Sequence, residues 1–492
     1  MKSQKKIKNI KIKSQNNRNK LPKIAVIGFG VTGKAVINFL KKENYEIHLF
    51  ESKRKEDFDQ NEINKNKDVI FHFEKVDFDP KEFSFVVTSP GASLEIPPIK
   101  KALKAHIPVH NDLTLFMQKW RKIGKVIGIT GSNGKTTTVS LLYDCLKKVT
   151  PTILGGNIGN SPLDLLDIKY PKNTIAVLEI SSNQLDLFKP EDFLDICSIT
   201  NLSSNHLDRY NGSMQEYAFA KMRGIDKKKT KSIICLDDPG SQKYILPKIN
   251  CDHLYGISFE MPVDQAVFSG IYTNNSGDLI YAQINPKKQN IDFDTTCNFA
   301  ETEILFDKTE NRKLQGVHNL YNIAFVLLSI KLAGLSINQK IIKTIRNFVG
   351  LEHRIEKFAI KNGVTYINDS KSTSPDSIRA ALEFIPGEKN TYLIAGGDDK
   401  DMSFDFLSEI FSEKLKKLII IAGNIDNKLK KLAKKSNVDF VEIPNLSDAV
   451  KFAAKNSKKG EFVLLSPGSY SKNFFKNFED RGTKFKKFVN DL

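Results

Sequence analysis

Gly128-Ile-Thr-Gly131-Ser-Asn-Gly134-Lys135-Thr136-Thr137 is the stretch on which the reading of the chain turns. It follows the apolar run Val126 to Thr130 and opens a helical pattern, Thr136 to Lys148. A glycine-rich turn between a strand and a helix lets backbone N–H groups and the helix N-terminus surround phosphate oxygens. In such a loop Lys135 would neutralise the β- and γ-phosphates, and the Thr136 hydroxyl would hold magnesium. The spacing departs from the standard G-x-x-x-x-G-K, because Ile occupies position 129 and the leading glycine stands one residue earlier. The stretch reads as a nucleotide triphosphate site inside a parallel α/β unit; the competing reading is a glycine-rich turn with an incidental lysine.

Outward from this loop, strand-like and helix-like stretches alternate in three successive segments, the pattern of parallel α/β sheets. The first segment has strands at Lys23 to Ile27, Ile47 to Phe50, Val69 to Phe73 and Phe85 to Thr88. The pattern pauses around Pro108 to Arg121. The second segment has Val126 to Thr130, Ile175 to Ile180, Ile196 to Thr200 and Ser232 to Leu236. A polar, irregular stretch near 250 to 312 follows, and two helices, His318 to Ala333 and Asn338 to Phe348, close it. The third restarts at Val364 to Ile367 and continues with Tyr392 to Ala395, Leu418 to Ala422 and Phe462 to Leu465. The expected domains are a basic tail (1–20), then 21–115, 116–350 and 351–492.

The chain has 492 residues, too many for one core, and 40% apolar residues suffice for ordinary globular packing. No apolar run approaches the roughly 18 residues of a membrane span. The first 20 residues carry seven Lys and one Arg without an acid or an apolar core segment, so they read as a disordered tail rather than a secretory signal. Such a tail allows contact with nucleic acid or anionic membrane. The net charge of +18 is spread along the chain, alongside many Asn and Ile residues, so neither partner is required. Cys145, Cys197, Cys235, Cys251 and Cys297 form no C-x-x-C pair, which argues against zinc and a disulfide framework and for a cytoplasmic protein.

Gly28-Phe-Gly30-Val-Thr32-Gly33 follows the first strand, and Glu51 ends the next one, 21 residues beyond Gly30. On pattern alone this serves NAD or FAD and another nucleotide diphosphate equally well, and a purely structural turn is the third reading. Ser89-Pro90-Gly91 follows the fourth strand, where open sheets bind ligands. Glu179, at a strand end in the same unit as the phosphate loop, is a candidate magnesium ligand. His206, in Asn201-Leu-Ser-Ser-Asn-His206-Leu-Asp208-Arg209-Tyr210, reads equally as a metal ligand or a loop hydrogen-bonding group. Lys221, taken alone, reads as a solvated helix lysine.

Taken together these motifs resemble those of the Mur ligase family. Gly131 to Thr136 resembles its ATP loop, Glu179-Ile-Ser-Ser-Asn-Gln184 its second motif, and Asn201 to Tyr210 its histidine motif. Gly316-Val-His-Asn319-Leu-Tyr-Asn322 resembles the asparagine motif, and Gly350-Leu-Glu-His353-Arg354 and Asn368-Asp369-Ser-Lys371-Ser-Thr373 those that open the last domain. Within the family the nearest likeness is to the D-glutamate-adding branch, through Gly28 to Gly33, Gly396-Gly-Asp-Asp-Lys400, Ser466-Pro467 and Phe475 to Gly482. Asn183 stands where an aromatic is usual. Lys472 and Asn473 replace the familiar residues after Ser471, a departure that bears on the amino-acid pocket.

The resemblance implies a three-domain α/β fold with Rossmann-like outer domains and a central P-loop-type ATPase domain. It implies an ATP- and magnesium-dependent ligase, with two ions, joining D-glutamate to UDP-N-acetylmuramoyl-L-alanine through an acyl phosphate in peptidoglycan precursor synthesis. UDP then replaces NAD in the first domain. By carry-over, Gly131, Ser132, Asn133, Gly134, Lys135, Thr136, Thr137, Asn319, Asn322, Arg354 and Asp369 would bind ATP. Thr136, Glu179, His206 and a carbamylated Lys221 would hold the metal. Gly30, Thr32, Gly33, Glu51, Ser52, Ser89, Pro90, Gly91 and Asn157 would bind the UDP-sugar. Thr373, Lys400, Ser471 and Phe478 would bind the amino acid. Lys135, His206, Lys221 and Glu179 would be catalytic, and the protein is expected to act as a monomer without nucleic acid. The rival readings are a ligase adding L-alanine, a folate polyglutamylating ligase, and a nicotinamide-dependent oxidoreductase or regulator carrying an ATPase module.

Overall fold

The computed structural model describes residues 21–492 apart from 159–160, 204–206, 275, 285–298, 308–311, 315, 399–402, 422 and 470–473. These residues form two compact units, one of 21–346 without 312–317, the other of 312–317 and 347–492. His206, Lys400 and Ser471 lie outside the described residues, as does the basic tail.

The first unit holds two sheets. The smaller has β1 (Lys23–Ile27), β2 (Glu46–Phe50), β3 (Val69–His72), β4 (Phe85–Thr88) and β5 (Val109–His110), all parallel in the order β3-β2-β1-β4-β5. After β3 the chain crosses to the other side of β1, so the turns after β1 and β4 flank a topological switch point, where such sheets bind ligands. The expected pause at Pro108 to Arg121 is in fact β5 and a helix, Asp112–Trp120. A two-residue strand has no period to read, and the helix start was signalled only by Asn111, whose side chain accepts the Thr114 N–H at 2.9 Å. Leu113, Phe116, Met117 and Trp120 of that helix join a core shared with residues of both sheets, including Leu49, Ala176 and Leu178.

The larger sheet has β6 (Val126–Thr130), β7 (Thr152–Gly156), β8 (Ile175–Glu179), β9 (Ile196–Ile199), β10 (Lys231–Cys235), β11 (Leu254–Pro262), β12 (Gly270–Thr273), β13 (Leu279–Ile284) and β14 (Phe299–Phe306). Their order is β14-β13-β12-β11-β10-β9-β6-β8-β7. β6 is buried at all five positions, and its neighbours β8 and β9 are buried throughout, as parallel strands covered on both faces must be. The stretch near 250 to 312, expected to be irregular, supplies β11 to β14, the last two antiparallel. Its strands pair with their neighbours in sequence, and a Cβ on Gly270 would lie 1.9 Å from the Gly256 carbonyl, so the glycine at 270 lets β12 approach β11. The helix Val317–Leu332 is buried almost all round, with Ile323 to Ile330 inside, which accounts for its unbroken apolar run.

The second unit is a six-stranded sheet of β15 (Glu356–Lys361), β16 (Val364–Asn368), β17 (Thr391–Ala395), β18 (Leu415–Ile421), β19 (Phe440–Ile443) and β20 (Phe462–Leu465). Its order is β15-β16-β20-β17-β18-β19, parallel except for β15. Ile367, Leu393, Leu418 and Leu464 pack under the helices of one face. Tyr366, Tyr392, Ile419 and Val463 pack under those of the other.

Candidate active site

The phosphate loop is held open by its glycines and pinned to the end of β9. Gly131 has φ +134 and Gly134 φ +80, backbone that only glycine adopts without strain. A Cβ at Gly131 would lie 2.0 Å from Thr200 Oγ1. The Ser132 and Asn133 N–H groups donate to Asn201 O and Oδ1 at 3.0 and 2.9 Å, and Thr200 Oγ1 donates to Asn133 O at 2.6 Å. The helix Lys135–Leu146 starts at Gly134 with no side-chain cap, so its positive dipole end faces the loop. Lys135 Nζ folds back onto the Gly131 and Ser132 carbonyls, both at 2.8 Å. The Asn322 side chain receives Thr138 Oγ1 at 3.1 Å and donates to Asn319 Oδ1 at 3.0 Å, which ties the asparagine helix to the nucleotide helix.

Glu179, 4% exposed, ends β8 beside this loop. Its Oε1 accepts Asn157 Nδ2 at 3.0 Å, while Oε2 is buried with no hydrogen-bond partner among the described residues. A buried carboxylate oxygen without a donor is costly unless a cation meets it. Asn157, expected on the UDP-sugar, is thus engaged with Glu179, its backbone N–H also bonding the Glu179 carbonyl at 2.7 Å. Among the described residues no three His, Cys, Asp or Glu side chains cluster as a metal site. An ion here would rely on Glu179, the buried Thr136 and phosphate oxygens, the oxygen-rich, incomplete protein shell usual for magnesium.

Lys221, which the sequence alone reads as solvated, is 1% exposed. It sits on the helix Met214–Met222 with Nζ 3.0 Å from the Gly131 carbonyl and 4.3 Å from the centre of the Tyr217 ring. Burial, and then the charge of Lys135, hold its ammonium well below the usual lysine range. Its place against the phosphate loop is visible only after folding, since 90 residues separate it from Gly131.

The N-terminal turn forms a second cradle in the same unit. A Cβ at Gly33 would meet the Gly28 carbonyl at 1.9 Å, and one at Gly30 or Gly91 would meet nothing within 4 Å. The helix Val31–Lys41 also begins without a side-chain cap. Glu51 braces the turn: Oε2 accepts the Phe29 N–H at 2.8 Å, and Oε1 accepts Lys53 N and Ser52 Oγ at 3.1 and 3.2 Å. Ser89 Oγ donates to Ile27 O at 3.2 Å, joining the Ser89-Pro90-Gly91 turn to β1. Thr32 is half-buried on the opening turn of its helix.

In the second unit, Asp369 is buried at the end of β16. Its Oδ1 accepts the Ile355 N–H at 3.1 Å and its Oδ2 the Ser466 hydroxyl at 2.8 Å. Burial pushes this carboxyl up to about 7, although those hydrogen bonds and the charges of Arg354 and Arg481 pull the other way. His353 and Ile355 have φ +62 and +46. A β-branched residue there costs roughly 1–3 kcal/mol, and Asp369 holds one end of the strained segment. Arg481, part of the Phe475 to Gly482 pattern but given no role there, is buried. Its Nε reaches Ser370 Oγ at 3.0 Å and its Nη2 reaches Ser370 O at 2.7 Å, with the Ser469 carbonyl at 3.3 Å. It thereby joins the loops after β16 and β20. Thr373 and Phe478 are half-buried on the neighbouring loop and the start of the last helix.

Family models match the three sheets in order. The first, a Mur ligase MurD-like N-terminal domain, covers residues 22–111. A Mur ligase middle domain covers 129–330 and a Mur ligase glutamate ligase domain covers 353–468. A relative from Lachnospira eligens, named UDP-N-acetylmuramoylalanine–D-glutamate ligase, is 32% identical over 95% of this chain and 98% of its own. One of the same name from Christiangramia forsetii is 32% identical over 96% and 99%. Among solved structures, the UDP-N-acetylmuramate–alanine ligase of Thermotoga maritima aligns with a TM-score of 0.53 at 16% identity, over 96% of this chain and 99% of its own. The MurF ligase of the same organism, in complex with ADP, aligns with a TM-score of 0.53 at 17% identity, over 96% and 95%. The three models together and relatives 32% identical over nearly the whole chain show the family: the chain belongs to the Mur ligase family.

Proposed function

We propose that the chain is an ATP-dependent ligase that joins the amine of D-glutamate to the carboxylate of UDP-N-acetylmuramoyl-L-alanine through an acyl phosphate, in cytoplasmic peptidoglycan precursor synthesis. The observation that carries the chemistry is the grouping, around the Gly131–Thr137 loop, of Lys135, Lys221 and a Glu179 oxygen without a hydrogen-bond partner among the described residues. The relatives' names, held over nearly their whole length, support the choice of D-glutamate. In keeping with the cytoplasmic reading, no helix among the described residues is long and apolar enough to cross a membrane, and Cys145, Cys197, Cys235 and Cys251 are free thiols.

Lys135 leaves the loop carbonyls to meet the triphosphate, and the dipole end of its helix receives the same charge. The acceptor carboxylate oxygen attacks the γ-phosphorus, the bond to the β-phosphate oxygen breaks, and ADP leaves. The D-glutamate amine then attacks the acyl carbon, the carbon–oxygen bond to phosphate breaks, and the amine gives up a proton as the amide forms. Magnesium held by Thr136, Glu179, His206 and a carbamylated Lys221 would supply charge that screens the meeting anions. The carbamate itself forms when the neutral Lys221 amine attacks carbon dioxide, making an N–C bond and releasing a proton; burial favours that neutral form. Asn319, Asn322, Arg354 and Asp369 serve the nucleoside, Gly28 to Gly33, Ser52, Ser89 to Gly91 and Asn157 the UDP-sugar, and Thr373, Lys400, Ser471 and Phe478 the amino acid. Glu51 acts on that cradle through the Phe29 N–H.

The test offers the enzyme ATP, magnesium and UDP-N-acetylmuramoyl-L-alanine with a panel of amino acids. ADP release with D-glutamate alone is expected. Release with L-lysine or D-alanine instead would overturn the assignment.

A further inference from the structure

One buried carboxylate joins three segments that the proposed reaction needs in register. Asp186 follows the short helix Ser182–Leu185, seven residues beyond Glu179, and its side chain is 5% exposed. Its Oδ1 accepts Arg223 Nη1 at 2.5 Å, and its Oδ2 accepts Arg209 Nε at 3.1 Å. The Tyr210 hydroxyl lies 3.5 Å from both oxygens. Arg223 also donates to the Asp186 carbonyl at 3.3 Å, and it caps the helix that carries Lys221 two residues earlier. The Arg209 fork has a second target: its Nη1 donates to the carbonyl of Ala92 at 3.2 Å. Ala92 directly follows Ser89-Pro90-Gly91 on the N-terminal sheet, 117 residues away in the chain.

A carboxylate removed from water needs a charged partner, and one arginine would meet that need. The second arginine, and its reach to a loop of another sheet, exceed it. A surface ion pair would be solvated and interchangeable, whereas this one is largely desolvated and forked between an acid and a backbone carbonyl.

We propose that Arg209, seated on Asp186, is a positioning residue for the UDP-sugar acceptor: it fixes the Ser89–Ala92 turn relative to the segments that carry Glu179 and Lys221. This rests on the reading of Ser89 to Gly91 as part of the acceptor site. The guanidinium geometry is essential to it, because a lysine ammonium keeps the charge beside Asp186 but does not span from there to the Ala92 carbonyl as a planar fork does.

The experiment compares Arg209→Lys, Arg209→Ala and Ser89→Asp with the unaltered enzyme, measuring KM for UDP-N-acetylmuramoyl-L-alanine, KM for ATP, kcat and the thermal midpoint. Displacement of a substrate-positioning loop costs on the order of ten- to a hundredfold. Both Arg209 variants are expected to raise the acceptor KM by about tenfold or more and to leave the ATP KM within about twofold. Arg209→Lys, which retains the ion pair, is expected to do so without lowering the thermal midpoint. Ser89→Asp is expected to raise the acceptor KM by repelling the diphosphate. If Ser89→Asp raises it and Arg209→Lys leaves it unchanged, the positioning role is wrong. An equal rise in both KM values would make Arg209 a general structural brace and also overturn it. If Ser89→Asp leaves the acceptor KM unchanged, the assignment of the turn fails first, and this inference with it.

Discussion

Lys221 has the appearance of a solvated helix lysine in the sequence, yet it is enclosed against the phosphate loop beside Lys135. Burial favours the neutral amine, the form that can take up carbon dioxide, which an ammonium cannot. Stripping dissolved carbon dioxide should therefore lower the ligase rate, and bicarbonate should restore it. Lys221→Arg, always charged, should be inactive at any bicarbonate level, and an undiminished rate in that variant would refute the carbamate. Lys135→Ala, which removes the cation meant for the β- and γ-phosphates, should lower kcat by about a hundredfold or more in a steady-state assay of ADP release. Asp369 gives a pH prediction. Its carboxyl is raised to about 7 in the fold, so between pH 4 and 7 the native state binds more protons than the unfolded chain. This group's contribution therefore favours the fold at low pH and is lost as pH rises through 7. Urea unfolding from pH 5 to 8 should reveal a fall in stability that is flattened in Asp369→Asn.

At the scale of elements, the strands that carry chemistry were legible because each is a buried apolar run ending in glycines or polar residues: β1 before Gly28, β6 before Gly131, β8 ending in Glu179. What was not legible lacked a local signal. β5 has two residues, and β11 to β14 lie in a polar stretch whose residues carry no long apolar run. The turn chemistry was read by type, but its protein partners had no sequence signal: Glu51 hydrogen-bonds the Phe29 N–H, and Asn157 hydrogen-bonds Glu179. Asp186 was missed, and Arg209 and Arg481 stood inside quoted motifs without a role, because an ion pair or a clamp between loops has no sequence spacing. The two glycine turns give separable predictions. A methyl group at Gly33 would press on the Gly28 carbonyl, and one at Gly131 on Thr200. Gly33→Ala should weaken acceptor binding and spare ATP; Gly131→Ala should do the reverse. Calorimetric titration of each ligand checks both.

For the whole molecule, the two glycine-turn cradles occupy one compact unit, and the other holds Asp369 with the groups proposed for the amino acid. The order of the three family models along the chain agrees with the three parallel segments read from periodicity. The most direct measurement labels both carboxylate oxygens of UDP-N-acetylmuramoyl-L-alanine with oxygen-18 and follows the inorganic phosphate by mass spectrometry. Attack of that carboxylate on the γ-phosphorus, followed by displacement by D-glutamate, leaves one labelled oxygen in each phosphate released. Unlabelled phosphate, with one label kept in the amide and the other lost to water, would contradict an acyl phosphate.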